Sequence, residues 1–306
     1  MITAPIHRLS SKKLIFPFLF SLLIMITSAG YTALHAQTAE SDIPLWEIKG
    51  EGKGKIYIAA SLPVFHKDSF AIQEAYNKVL AEASCIGFER NPDSLRAEYQ
   101  LLFMENGFFE TDDHLEDNLS PKTFKKLDKR LTELNKPLGH HARMKPWLLA
   151  LTLQKLEVQA AGYDEEGMDR YFYDQASKEG KSIFSLNSKK SLQKELAEMP
   201  LKKQETYLKR QLKKSVKNVG SYRKIGKAWN DGKLNQTGKY VRQLDRQFSK
   251  SAQLETRELK PKIHELLKKE ETLLLLLSPA YLSEKNSLLN QLKKDKTLMI
   301  RLYSSN

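Results

Sequence analysis

Residues able to do bond-making chemistry are few and widely spaced in this 306-residue chain. Cys85 is its one cysteine, so neither a disulfide framework nor a cysteine-based zinc site can form within one chain. Seven histidines stand at positions 7, 35, 66, 114, 140, 141 and 264, with no HExxH pair and no histidine-rich tract. The sequence holds no G-x-S-x-G elbow, phosphate-binding loop, dinucleotide fingerprint or Cys–His nucleophile pairing. Acid–base or metal chemistry would have to be assembled from carboxylates and histidines that lie far apart in sequence.

The elements that would position such groups are legible as hydrophobic patterns. Lys55–Ala60 (KIYIAA) follows Gly50, Gly52 and Gly54 and is expected to be a strand. Ser84–Glu89 (SCIGFE) is a second. Between them, Ile72, Ala75, Val79 and Leu80 share one face of a helix expected over Phe70–Ala83. Further strands are expected at Ser182–Leu186, Thr272–Leu277 and Thr297–Tyr303, with a short amphipathic helix over Leu282–Lys293. Continuous apolar strands separated by helices predict an α/β fold with a buried, mostly parallel central sheet. Its strands come from two strand–helix–strand units at the chain ends, with a large helical insertion over about residues 95–270 between them. Helices are expected within it at Lys122–Asn135, Trp147–Ala161, Asp169–Glu179, Ser191 to about Lys227, and Tyr240–Leu267. Asn230–Asp231–Gly232 separates the last two.

Several ordered segments resemble the TraB/GumN family. Leu45–Trp46–Glu47–Ile48 with Ile56–Tyr57–Ile58 is similar to the family's opening. Lys145–Pro146–Trp147–Leu148–Leu149–Ala150 resembles its central helix, and Gly167–Met168–Asp169–Arg170–Tyr171–Phe172 its G-x-D-x-x-F stretch. Gly180–Lys181–Ser182 resembles the start of the strand that follows. The likeness spans roughly residues 43–303. It implies a metal-dependent hydrolase site built from two GxxH motifs and a glutamate, all at strand ends. Glycine permits the tight turn there, and the imidazoles then sit over the sheet's carboxyl edge, where open α/β sheets place ligands. Two imidazoles and a carboxylate suit a divalent ion with an open position.

Residue by residue, this sequence departs from that pattern. The first GxxH falls on Ala60–Ser61–Leu62–Pro63 and the second on Ser278–Pro279–Ala280–Tyr281, so both histidines are replaced. Asn187 stands where the family carries an acid near the third strand, and Glu89 persists. Proline has no metal-binding atom and neutral tyrosine is a poor ligand. Glu89 is therefore expected to be a catalytic remnant, with no metal or other cofactor. The pocket positions carried by the motifs are Ser61, Pro63, Asp169, Arg170 and Tyr281. An alternative keeps a divalent metal on Glu89 and His66, three residues beyond Pro63. Each residue also has a plainer reading. Glu89 can pair with Arg90, Lys145 or Arg170; Tyr281 can fill the space left by a metal and imidazole; Asp169 and Arg170 can start a helix.

Charge is unevenly distributed. The net charge is +13, of which Lys181–Lys250 supplies +14 from 19 Lys/Arg and 5 Asp/Glu. Lys202, Lys209, Lys213 and Lys217 recur at helical spacing, with Lys203, Arg210 and Lys214 in an adjacent row. Such a stripe is either a solvated face or a contact for anionic lipid or glycan. Nucleic acid is disfavoured, because aromatics are sparse in the tract and no nucleic-acid motif occurs. At the other end, Arg8, Lys12 and Lys13 precede an apolar run from Leu14 to Ser28, which reads as a signal peptide over residues 1–36. The remaining residues, 37–306, are expected to form one exported α/β domain, periplasmic or secreted; an uncleaved N-terminal anchor is the alternative. These features point to an inactive envelope binding or scaffold protein with an unknown envelope ligand. The alternatives are a metal-dependent hydrolase with relocated ligands and a protein held at a membrane surface by its basic tract.

Overall fold

The computed structural model describes residues 44–66, 74–164, 167–187, 191–244, 246–283 and 285–304. The expected signal peptide lies outside the described residues, as does the start of the helix expected at Phe70. The strands are β1 (Leu45–Lys49), β2 (Lys55–Ala60), β3 (Phe65–His66), β4 (Cys85–Phe88), β5 (Tyr163–Asp164), β6 (Ser182–Ser185), β7 (Thr272–Leu277) and β8 (Met299–Leu302). Six of them form one mixed sheet in the order β6-β4-β7-β2-β1-β8. Pairs β6–β4, β4–β7 and β7–β2 are parallel, while β2–β1 and β1–β8 are antiparallel. The fold is α/β, as the apolar runs predict.

Burial explains the order. Ile56 to Ala60 and Leu273 to Leu277 are buried at every position, which fits central strands covered on both faces. The edges differ: β6 and β8 are largely exposed. Gly87, in the middle of β4, is required by its neighbours. A Cβ there would stand 2.6 Å from a Leu275 methyl and 2.7 Å from the Phe184 ring.

The two end units interleave rather than stand side by side. β2 and β4, joined through the helix Glu74–Glu82, have β7 inserted between them. β7 and β8 are in turn separated by β2 and β1. The helical insertion carries a core of its own around Leu127, Leu131, Trp147, Leu148, Leu153 and Leu208, distinct from the core on the sheet.

Most helix expectations hold to within a few residues: Pro121–Glu133, Pro146–Ala160 and Gly167–Lys178. Three differ. The tract from Ser191 is broken at Met199–Pro200 into Leu192–Ala197 and Leu201–Asn230, because proline lacks the N–H a continuing helix needs. Helical structure resumes at Leu234, not Tyr240, as Leu234–Leu244 followed by Arg246–Leu267. The helix expected over Leu282–Lys293 is two short ones, Pro279–Leu282 and Leu288–Lys293, opened by the capping residues Ser278 and Ser287. His140 and His141, expected in a loop, lie in a 3₁₀ turn, Leu138–His141.

Candidate functional site

The carboxyl ends of β2, β7 and β4 lie side by side, so the residues just beyond Ala60, Leu277 and Phe88 share one edge of the sheet. Pairing continues past the strand ends: the Ser61 N–H donates to the Leu277 carbonyl at 2.8 Å. Two clusters sit on this edge.

The first joins the loop after β2 to the helix Gly167–Lys178. The Met168 N–H donates to the Leu62 carbonyl at 3.0 Å, and the Leu62 N–H reaches the Met168 sulfur at 3.3 Å. Gly167 makes this approach possible. Its φ is +64°, and a Cβ would stand 2.6 Å from both the Leu62 and Pro63 carbonyl oxygens. With the backbones so close, the Ser61 hydroxyl donates to the Asp169 carboxylate. Burial pushes the Asp169 carboxyl up to about 6, against the opposing effect of the Ser61 hydrogen bond. Phe172, fully buried one turn later, packs against Tyr76. The Tyr76 hydroxyl in turn donates to the Ala60 carbonyl at 3.2 Å, fixing the end of β2.

The second cluster joins β4 to the turn after β7. The Glu89 carboxylate accepts the Ser278 N–H. Ser278 opens the helix Pro279–Leu282, and its hydroxyl accepts the Ala280 N–H at 3.3 Å. Tyr281 is buried, 2% exposed. Arg242, from the helix Leu234–Leu244, holds this short helix from outside, donating to the Ala280 carbonyl at 2.9 Å and the Ser283 hydroxyl at 3.0 Å. Glu89, Leu186, Asn187, Glu258, Leu259 and Tyr281 line a small pocket with room for about one water molecule.

The structure therefore brings Ser61 to Asp169 and Glu89 to Tyr281, and places both pairs on the expected edge. Arg170 pairs with Asp174 at 2.8 Å within its own helix and with Asp93 at 3.5 Å on the helix Pro92–Asn106, and its guanidinium lies over the Tyr173 ring. Pro63 is exposed at the rim. His66 belongs to the two-stranded ladder β3–β5, its ring edge-on to Tyr163. Glu258 and Leu259 enter the pocket from the helix Arg246–Leu267, and no local motif in the sequence marks them. Asn187 takes its place because its N–H donates to the Glu89 carbonyl at 2.9 Å.

A divalent ion held by residues at 63, 89 and 281 is not supported by these side chains. Pro63 offers no donor atom and a neutral Tyr281 phenol is a poor ligand, which leaves the Glu89 carboxylate as the one good donor of the three. Among the described residues no three His, Cys, Asp or Glu side chains are grouped so as to hold a metal. Among the same residues no helix is long and apolar enough to cross a membrane.

A mixed, mostly parallel sheet with the motif residues at the carboxyl edge of its central strands defines an α/β protein whose candidate site lies at that edge. The model of the TraB/PrgY/gumN family matches residues 44–299, and the chain belongs to that family. No curated protein and no solved structure gives a significant match.

Proposed function

We propose that this chain is a non-hydrolytic member of its family, an exported envelope protein that works by binding or scaffolding. One observation carries the reading: the glutamate that persists from the family site, Glu89, is turned inward onto the Ser278 N–H beside a buried Tyr281. A carboxylate used to satisfy a backbone donor at a helix start serves structure rather than substrate. The small neighbouring pocket is lined partly by the apolar side chains of Leu186 and Leu259, which offer a substrate no polar contact. Binding then falls to the outer surface, where the basic helical region is the strongest feature.

The test is hydrolysis of unstructured peptides by the protein without its first 36 residues, with Mn²⁺, Co²⁺ or Zn²⁺ added. The expected result is the same background rate for the wild type and for Glu89→Ala. A metal-stimulated rate in the wild type that Glu89→Ala abolishes would overturn the proposal.

A further inference from the structure

The helix Leu201–Asn230 is the longest described element, and its two faces are unlike. Gln204, Tyr207, Leu208, Tyr222, Ile225 and Trp229 are buried. On the opposite side Lys202, Lys209, Lys213, Lys224 and Lys227 are all exposed. At 3.6 residues per turn these five fall within about 60° of one another and form a crest roughly 38 Å long. Lys203 and Arg210 flank it, also exposed. Two acids temper this charge. Glu205 pairs with Lys209 at 2.9 Å, and Asp231 pairs with Lys227 at the far end.

We propose that this crest is a docking surface for an anionic lipid bilayer. The inference deepens the binding reading above and rests on it. Charge complementarity selects the partner. The crest is long and backed by a packed core, so its charges can meet a flat surface together. Its cations are mostly lysines, point charges suited to diffuse headgroups rather than to the bidentate geometry that arginine supplies. The aromatics of the helix, Tyr207, Tyr222 and Trp229, are buried, so nothing on the crest can stack on a nucleic-acid base. No large apolar side chain lies among the described residues of the crest. Attachment through these lysines is electrostatic adsorption, and salt reverses it.

The experiment is co-sedimentation of the protein lacking its first 36 residues with vesicles of phosphatidylcholine alone or with 30 mol% phosphatidylglycerol, the percentage chosen at roughly the anionic content that gives a strong surface potential. Binding is expected only to the anionic vesicles, weakening about tenfold or more when salt rises from about 50 to about 150 mM. The variant K202Q/K203Q/R210Q/K213Q should bind at least about tenfold more weakly. The matched control K122Q/K125Q/K126Q/K129Q, on the exposed face of the helix Pro121–Glu133, removes the same charge elsewhere and should retain binding within about threefold. Equal loss in both variants, salt-independent binding, or no binding to anionic vesicles would overturn the proposal. So would capture by a soluble sulfated glycan with no vesicle binding. Unchanged circular-dichroism melting confirms that both variants fold. Peptide hydrolysis measured on the same samples separates the two readings. Vesicle binding with Glu89-dependent hydrolysis keeps the crest and removes the non-hydrolytic reading. Absence of both activities removes the crest alone.

Discussion

The carboxyl edge of the sheet and the outer face of the helix Leu201–Asn230 treat charge in opposite ways. At the edge, the Glu89 and Asp169 carboxylates are drawn inward and matched to the Ser278 N–H and the Ser61 hydroxyl. On the helix, lysines are left in water in a row. A family site is expected to keep its polar groups turned toward a ligand. Here Glu89 meets a backbone donor, Asp169 meets a hydroxyl at a burial cost that raises its pKa, and the crest lysines face water, two of them beside Glu205 and Asp231. Buried groups that partner each other contribute to stability, whereas exposed like charges in a row contribute little to it and are available to a partner.

The comparison breaks first at Tyr281. If that ring is framework, Tyr281→Ala should destabilise the protein by about 3–5 kcal/mol in urea unfolding, as expected for removing a buried aromatic. A change under about 1 kcal/mol would mean that the ring is not part of the packed core.

Glu89→Ala should cost about 1–3 kcal/mol by leaving the Ser278 N–H unmatched. Unchanged or increased stability would indicate a carboxylate kept at an energetic loss, as functional groups often are.

Asp169 should give an effect of the opposite sign. Its pKa is raised to about 6, so between about pH 4 and pH 6 the folded protein holds a proton that the unfolded chain has released. Stability therefore falls as pH rises through that window and levels off above it. Asp169→Asn keeps an oxygen to accept from Ser61 and removes the titration. It should flatten this part of the stability–pH curve and stabilise the protein at pH 8 by about 1–2 kcal/mol, a value below the full linkage limit because the residue is only half-buried. A slope that survives in the variant would assign the titration to another group.

The smallest effect belongs to the crest. K202Q/K203Q/R210Q/K213Q should change unfolding free energy by no more than about 0.5 kcal/mol in total, because all four side chains are exposed. Glu205→Ala should cost about 1–2 kcal/mol, although it lies on the same helix. Its carboxylate accepts from both the Ser120 N–H and the Ser120 hydroxyl at the start of the helix Pro121–Glu133. Burial there is outweighed by Lys209, Ser120 and Thr123, which hold its pKa down at about 2. That stability is present above about pH 4.5 and is lost as pH falls toward 2. Equal stability of the two variants would erase the distinction between anchored acid and free crest.

What the sequence made legible follows from where its information is local. β2, β4 and β7 were readable because a strand covered on both faces must be apolar throughout, as in Ile56–Ala60 and Leu273–Leu277. Their meeting at one edge followed from the motif likeness. Most of the crest was readable because exposure on a long helix recurs at its period, but Lys214, expected in its adjacent row, is half-buried and donates to the Leu244 carbonyl, and the Lys217 side chain lies outside the described residues. The interleaving of the two end units was not readable, since strand order depends on pairing between segments about 200 residues apart. β3 and β5, two residues each, leave no periodic trace. The Ser61–Asp169 bond was hidden for a related reason. It depends on Gly167 reaching a left-handed φ against a loop about 100 residues earlier, which spacing alone does not reveal. Glu258 was invisible because it is one exposed acid among several charged residues on its helix, and its place at the pocket depends on other elements.

The most direct test of the central claim is calorimetric titration of the protein without its first 36 residues with Mn²⁺ and Zn²⁺, for the wild type, Glu89→Ala and the double variant Pro63→His with Tyr281→His. If the family edge has been converted to framework, the wild type and Glu89→Ala should give identical traces with no stoichiometric binding. Tight one-to-one binding by the wild type, lost in Glu89→Ala, would contradict the account.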